Sequence, residues 1–196
     1  MESVILARHS ESEYSARDAL NGDPSISFGL TALGEEQARA LGQELAATPI
    51  DLCVTSSFER VRQTADLALA GRDVPRLVLP ELGDPNYGRF EGKSVAEYHA
   101  WSGTASSSET PGTGESRIAI VSRYVRAFGS LLLRPEASLL VVAHSGPLAY
   151  ILGAVAGRAP ERRLPVIEYA RPHRLTAAQL EQAVSFLDAW CASPTW

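Results

Sequence analysis

The chain has 196 residues, of which 45% are hydrophobic and 21% are charged, and its formal net charge is -5. These values are typical of one globular domain, and we expect a single domain over residues 1–196. The acidic balance argues against a general nucleic-acid-binding surface, which needs a basic patch, but it allows a small positive pocket for an anionic ligand.

Apolar runs alternate along the chain with segments of helical periodicity. The apolar runs predict buried strands at Val4–Ala7, Asp51–Thr55, Arg76–Pro80, Ser138–Ala143 and Val166–Ala170. The periodic segments predict helices at Leu33–Leu45 after a Thr31 cap, Phe58–Ala70, Ser94–Trp101, Ser116–Leu133, Leu148–Ala156, and from a Thr176 cap to about Trp190. This alternation predicts an α/β fold, a three-layer αβα sandwich with a largely parallel central sheet.

Three segments between these elements are predicted to be loops. Residues 11–29 and 81–92 are rich in Gly, Pro, Asp and Asn. Residues Ser102–Gly114 are low in complexity and predict a surface loop of open function.

Polar side chains follow three of the predicted strands. They are Arg8-His9, Thr55-Ser56-Ser57 leading to Arg60, and His144-Ser145-Gly146. Ligands of an open α/β sheet bind beyond the carboxyl ends of its strands. If these strands are adjacent and parallel, two histidines and two arginines converge on one site.

Five segments resemble, in order, the signature motifs of the histidine phosphatase superfamily, which includes the phosphoglycerate mutases. Together they span about residues 3–156. The segments are Arg8-His9-Ser10-Glu11-Ser12, residues 30–38 (LTALGEEQA), residues 55–65 (TSSFERVRQTA), residues 84–92 (DPNYGRFEG) and Val142-Ala143-His144-Ser145-Gly146. The resemblance implies a phosphoglycerate mutase-like fold, a phosphohistidine intermediate on His9, and no metal or other cofactor.

The chemistry of phosphoryl transfer agrees with this resemblance. Arg8 and Arg60 each offer a planar fork of donors for phosphate oxygens, and neutral His9 can attack phosphorus. By resemblance, His144 stands beside the nucleophile as a further donor, and alignment of the acid-bearing loop gives Asp84 the role of proton donor. To donate near neutral pH, Asp84 needs a pKa raised by burial or by the bound phosphate.

Each of these residues also has a structural interpretation. His9 and His144 could be strand-end histidines bonded to the backbone, Arg8 could form a surface ion pair, and Arg60 could be a solvated helix residue. Asp84-Pro85 could simply start a turn. Their combination favours catalysis. The spacing favours Asp84 over Glu81 and Arg60 over Arg62, while Glu11 is expected to be structural and His99 to lie inert on a surface helix.

The chain departs from the family pattern at several positions. Ser10 follows His9 where glycine is commoner, so a side chain must fit there. Ser15 stands at the position of a phosphate-contacting asparagine, and Asn21 compensates for it or only forms a turn. Ser15 and Ser145 are the remaining candidates for phosphate binding. Arg171, His173 and Arg174 could reach the pocket mouth or form a solvated basic loop.

We expect a metal-independent phosphatase that acts on a small phosphorylated metabolite. A phosphoglycerate-type mutase is the first alternative, but mutases of this family carry a longer insertion between the acid loop and the second histidine, which shelters the phosphohistidine, whereas here that span, Gly92 to His144, is short, and the mutase acid is usually Glu. A non-catalytic phosphate-binding module is the second alternative. The physiological substrate stays open.

The remaining expectations concern location and partners. Neither cysteine, Cys53 or Cys191, has a partner at metal-ligand spacing, and nothing requires a disulfide between them. No apolar run resembles a signal peptide or a bilayer span. We therefore expect a cytoplasmic protein without nucleic-acid or membrane partners, and a homodimer stays open.

Overall fold

A five-stranded sheet forms the centre of the protein in a computed structural model that describes residues 1–196. The strands are β1 (Ser3–Arg8), β2 (Leu52–Thr55), β3 (Arg76–Val78), β4 (Ser138–Ala143) and β5 (Pro172–Thr176). The helices are α1 (Ala32–Glu44), α2 (Glu59–Ala68), α3 (Val95–Ser102), α4 (Arg117–Leu132), α5 (Ser145–Val155) and α6 (Ala177–Ala192). The predicted α/β fold is confirmed.

The strand order is β3-β2-β4-β1-β5, and every neighbouring pair is parallel except β1 and β5. In this register Arg8 lies opposite Ala143, and Thr55 lies opposite Val142. The carboxyl ends of β1, β2 and β4 therefore meet at one edge of the sheet. This juxtaposition is what the polar strand ends in the sequence predict.

The alternation of side chains along the strands divides the core between the two faces of the sheet. Val4 and Leu6 of β1 belong to a large apolar cluster with α4, α5 and α6. Ile5 and Ala7 belong to a smaller cluster with α1 and α2. Because both faces are covered, the central strands are apolar throughout, and the three layers follow.

The N-terminus of α1 is fixed to the loop that follows β1. Thr31 caps the helix, accepting from the amide of Gly34 at 3.0 Å, and donates to Glu11 Oε1 at 2.8 Å. Glu11 is thus a structural residue, as expected. A methyl group on Gly34 would lie 1.9 Å from the backbone oxygen of Glu11, so this contact requires a glycine.

The predicted strand at Val166–Ala170 is wrong. Only Tyr169 forms an isolated bridge, with Arg8, and Val166 is 72% exposed. Ala170 has a left-handed backbone (φ 50°), which turns the chain into β5 six residues later than the apolar run suggests. The residues predicted as a strand instead form an irregular segment above the sheet edge.

The segment Ser102–Gly114 is only partly a surface loop. Ser102 ends α3, and Ala105, Ser107 and Pro111 are buried.

Cys53 is buried as expected, and both cysteines are free. None of the six helices has the length and hydropathy needed to span a bilayer.

The contact between α1 and the loop after β1 generates a test of stability. We expect Gly34→Ala to lower the free energy of unfolding by roughly 2 kcal/mol or more, because the new methyl group meets a backbone carbonyl that cannot rotate away. Gly129→Ala in α4 is the matched control, since its methyl group would lie 3.9 Å from the nearest atom outside the helix backbone. The control should be neutral or slightly stabilising in urea denaturation, as alanine favours helix. Equal stability of the two variants would contradict the close approach at Gly34.

Candidate active site

His9 lies at the carboxyl end of β1 with one ring nitrogen already engaged. Its Nδ1 is 2.7 Å from the backbone oxygen of Ser10, so Nδ1 carries the proton and Nε2 keeps its lone pair. The backbone amide of His9 donates to Ala143 at the end of β4. Burial, reinforced by Arg60, His144 and Arg8, lowers the pKa of His9 well below the ordinary value. The ring is therefore a neutral base with a fixed tautomer.

Arg60, in the first turn of α2, connects three parts of the site. Its Nη1 donates to Asn21 Oδ1 at 2.7 Å, and its Nη2 donates to the Asn21 backbone oxygen at 3.1 Å and to Asp84 Oδ2 at 2.7 Å. The guanidinium lies 4.4 Å from the centre of the Phe58 ring. Arg60 is buried, whereas Arg62 is exposed, so the spacing argument selected the residue that reaches the site.

Asp84 and His144 form a buried pair beside Arg60. His144 Nδ1 is 2.9 Å from Asp84 Oδ2, and His144 Nε2 is 2.9 Å from the hydroxyl of Ser56. Burial opposes ionisation of Asp84, but His144 and Arg60 outweigh it and lower the pKa of the carboxyl group. Asp84 is therefore ionised in the free protein, which is opposite to the raised pKa that proton donation requires.

The neutral state of His144 follows from the same environment. Burial lowers its pKa, against the opposing pull of Asp84. With Ser56 donating to Nε2, the proton resides on Nδ1 and points to Asp84. His144 thus presents a donor to the site without adding a positive charge.

Arg8 is held by the irregular segment that follows α5. Its Nη1 donates to the backbone oxygen of Ile167 at 2.8 Å, and its guanidinium stacks 3.8 Å from the centre of the Tyr169 ring. No carboxylate lies within ion-pair distance of Arg8, and its Nε has no hydrogen-bond partner. Arg8 is therefore a positive charge with a free donor beside His9.

Two side chains outside the site hold its loops in place. The Thr64 hydroxyl accepts from the amide of Ser10 at 3.0 Å and donates to the backbone oxygen of Arg60 at 2.7 Å, which ties the first motif to the third, residues 55–65. The Tyr124 hydroxyl donates to the backbone oxygen of Gly83 at 2.9 Å, which fixes the residue before Asp84.

The site opens into a cavity of about 350 Å³. Arg8, His9, Arg60 and Asp84 line its base, and its walls include the aromatic side chains of Tyr14, Tyr87, Tyr98, Tyr150 and Tyr169. His144 is fully buried and lies behind this surface. A cavity of this size, with polar groups at one end and apolar walls, is typical of a small-molecule site.

The other predicted residues have mixed positions. Ser15 and Ser145 line the cavity, but the Ser15 hydroxyl donates to the Ser12 backbone and the Ser145 hydroxyl accepts from the amide of Ile167. Asn21 lies in the cavity wall and orients Arg60. The Ser10 side chain fits without any exposure.

Two sequence expectations concern the rim of the cavity. His99 lies on α3 as expected, but its side chain is half-buried and lines the cavity, and its inertness stays a prediction. Arg171, His173 and Arg174 do not line it; Arg171 pairs with Glu168, and Arg174 donates to Thr48. Arg171 and Arg174 are exposed, which fits the solvated interpretation, but His173 and Arg174 belong to β5 and not to a loop, and the Nε2 of the half-buried His173 is away from solvent.

Three residues that support the site were not singled out in the sequence. Ser56 and Thr64 occur within the third motif, residues 55–65. The sequence did offer a signal for each, because Ser56 follows a predicted strand and Thr64 lies one helical turn after Arg60. Tyr169 lies beyond the segments that resemble the family, in the apolar run that was wrongly predicted to be a strand. Its contact with Arg8 depends on the fold of residues 157–169, for which the sequence carries no periodic signal.

His9, Asp84 and His144 are also a possible metal-ligand set by geometry. Their ligand atoms lie within 4.8 Å of one another. The guanidinium of Arg60 already pairs with the Asp84 carboxylate, and Arg8 lies beside His9. These two cationic side chains therefore repel a metal ion at this place. The arrangement instead suits a phosphoryl group, with positive donors around a neutral nucleophile.

Comparisons with known proteins agree with this site. The histidine phosphatase superfamily (branch 1) matches residues 4–190. An adenosylcobalamin/α-ribazole phosphatase of Salmonella typhimurium is 33% identical over 156 residues, which are 75% of this chain and 76% of that protein. A probable phosphoglycerate mutase of Proteus mirabilis is 28% identical over 174 residues, which are 84% of this chain and 80% of that protein.

Solved structures show the same likeness. A putative α-ribazole-5′-phosphate phosphatase from Escherichia coli superposes with a TM-score of 0.77 at 26% identity, covering 89% of each chain. The α-ribazole phosphatase of Shigella flexneri gives a TM-score of 0.75 at 25% identity, covering 88% of this chain and 89% of that one. The chain belongs to the histidine phosphatase superfamily, and its relatives support a phosphatase of small phosphorylated metabolites.

Proposed function

We propose that this protein is a metal-independent phosphomonoesterase that hydrolyses a small phosphorylated metabolite through a phosphohistidine on His9. The observation that carries the proposal is the hydrogen bond from His9 Nδ1 to Ser10, which leaves Nε2 unprotonated in the cavity that Arg8 and Arg60 also line. Such an imidazole is an activated nucleophile without an added base.

The first chemical step forms the bond between His9 Nε2 and phosphorus and breaks the bond between phosphorus and the leaving oxygen. The lone pair of Nε2 enters, and the leaving oxygen takes the electron pair and a proton from Asp84. Arg8 and Arg60 neutralise the charge on the transferred phosphoryl oxygens. The imidazole carries the phosphoryl group while Ser10 accepts the Nδ1 proton in a hydrogen bond.

Asp84 has to gain a proton before this step, and the bound phosphate supplies the reason. A phosphate dianion competes for the Arg60 donor that now holds Asp84, and its negative charge raises the pKa of a neighbouring carboxyl group. As Asp84 leaves His144, the Nδ1 proton of His144 becomes available to a phosphoryl oxygen.

The second step returns the protein to its starting state. A water oxygen attacks phosphorus, the bond between phosphorus and Nε2 breaks, and the Asp84 carboxylate takes the water proton. The products are inorganic phosphate, neutral His9 and protonated Asp84, which gives its proton to solvent when the phosphate leaves and Arg60 binds the carboxylate again. Asp84 thus serves as the general acid in the first step and as the general base in the second.

A mutase activity is the second candidate, favoured by the likeness to the Proteus mirabilis protein. Phosphatase activity has the stronger support, because the Salmonella relative at 33% identity bears that activity in its name. Release of most phosphoryl groups to water in the presence of a phosphoglycerate acceptor would exclude a mutase. The substrate panel should include α-ribazole phosphate because of these relatives.

The role of His9 is tested by hydrolysis of p-nitrophenyl phosphate in excess EDTA. We expect the wild type to stay active and His9→Ala to lose roughly a thousandfold or more, since the nucleophile is gone. His173→Ala is the matched control, because His173 is outside the cavity and its Nε2 has no partner. Loss of wild-type activity in EDTA would overturn metal independence, and an active His9→Ala would overturn the nucleophile.

The role of Asp84 is tested with two leaving groups. We expect Asp84→Asn to slow an alkyl phosphate by roughly 10²–10⁴-fold, because an alkoxide needs a proton to leave. The loss with p-nitrophenyl phosphate should be much smaller, since p-nitrophenolate leaves unprotonated. Equal losses in kcat with both substrates would show that Asp84 only positions Arg60.

The neutral state of His9 is tested by the pH dependence of stability. Because the folded pKa of His9 lies below the ordinary 6.5, the unfolded state binds more protons as the pH falls through that value. The free energy of unfolding should have its full value above about pH 7. It should decrease toward about pH 5, by up to about 1.4 kcal/mol per pH unit for each histidine with a lowered pKa.

Urea midpoints at about pH 7.5 and about pH 5.5 measure this dependence. His9→Asn should flatten it more than His173→Asn, whose histidine is less buried. A wild type whose stability does not change over this range would show that folded His9 accepts a proton.

A further inference from the structure

A second arginine pair, Arg117 and Arg162, lies on another wall of the cavity that contains His9. Arg117 begins α4, and its Nη1 donates to the Tyr150 hydroxyl at 2.7 Å, while its Nη2 donates to the backbone oxygen of Arg162 at 3.1 Å. Both acceptors are uncharged. A guanidinium has five donors, so Arg117 keeps donors that the protein does not use.

A comparison within α4 shows that Arg117 differs from a structural arginine. Arg123, two turns later, donates to both oxygens of Glu115 at 2.8 Å and also to the backbone oxygen of Gly83. Its charge is matched by a carboxylate. No acidic side chain lies within 4.0 Å of Arg117, although it is only partly exposed. A sheltered charge without a counter-charge is costly, and its presence in a cavity points to a ligand that provides one.

Arg162 shares these properties and is held next to Arg117. It has no ion pair, its Nη1 donates to the backbone oxygen of Ala105, and its guanidinium lies 4.8 Å from the centre of the Trp196 ring. Arg117 lies 5.9 Å from the same ring. One indole thus contacts both guanidinium groups, and the hydrogen bond from Arg117 to the Arg162 backbone holds the two residues beside each other. His99 lines the same cavity and provides a neutral donor.

We infer that Arg117 and Arg162 bind a second anionic group, a carboxylate or a phosphoryl group, on the leaving-group side of the substrate. This inference rests on the proposed phosphatase function, because Arg8 and Arg60 then bind the scissile phosphoryl group. Two arginine forks match the oxygens of either anion. The substrate is accordingly a phosphomonoester with a second negative charge, not a phosphorylated alcohol that is otherwise uncharged.

The rest of the cavity lining fits the connecting part of such a substrate. Tyr98, Tyr150, Ile120 and Leu164 line the same cavity and provide aromatic and apolar surface. The carboxylates of the cavity are Asp84, which is paired with Arg60, and Asp18, which is exposed at the rim. Neither neutralises the second pair.

The test measures binding of phosphonates, which the enzyme cannot hydrolyse, by calorimetry. Phenylphosphonate is compared with 3- and 4-carboxyphenylphosphonate and with 1,4-phenylenebisphosphonate, so that carboxylate and phosphoryl groups are distinguished. We expect at least one doubly charged compound to bind roughly tenfold or more tightly than phenylphosphonate. In Arg117→Gln and in Arg162→Gln this preference should fall to about threefold or less.

Arg126→Gln is the matched control, since Arg126 is an exposed arginine of α4 without an ion pair, and it should keep the wild-type preference. Thermal melting checks that each variant is folded, and two independent variants guard against one that is not. No preference for any doubly charged compound, or a preference that survives both substitutions, would overturn the inference.

The proposed function is judged separately, by turnover of p-nitrophenyl phosphate. Turnover without a charge preference would refute the second anion site and leave the phosphatase intact. Absence of turnover together with an Arg117-dependent preference would refute the phosphatase and leave the anion site.

Discussion

The buried guanidinium of Arg60 is the interaction on which the rest of the site depends. A charge removed from water must be matched by partners on all sides, and Arg60 finds them in Asn21, Asp84 and the ring of Phe58. Because Asn21 and Asp84 belong to two different loops, the requirement of one side chain fixes both loops. The packing of α2 thereby determines where Asp84 and the wall of the cavity lie.

The sheet supplies the second constraint. The parallel register of β1, β4 and β2 brings their carboxyl ends to one edge, so that His9, His144 and Ser56 become neighbours although they are far apart in the chain. The cost of burying two imidazoles keeps both neutral, which is the state that a nucleophile requires. The apolar core and the neutral state of His9 therefore have the same physical origin.

The sequence was sufficient where local pattern and motif order agree. It predicted the sheet, the helix caps and the convergence of Arg8, His9, Arg60, Asp84 and His144. It was insufficient at Val166–Ala170, because a short apolar run has the same period in a strand and in an irregular segment that covers a cavity. The place of His99 at the cavity was not predictable for a related reason: which face of α3 meets the cavity depends on contacts with residues far along the chain.

The charges of the site also explain how an ionised Asp84 can serve as an acid under the proposed mechanism. With both histidines neutral, two guanidinium charges against one carboxylate leave a single positive charge in the free site. A bound phosphate dianion turns this into a single negative charge, and one proton restores neutrality. Asp84 is the group positioned to take that proton, since the phosphate displaces it from Arg60. The substrate therefore creates the acid that its own cleavage requires, and Asp84 keeps its charge while the cavity is empty.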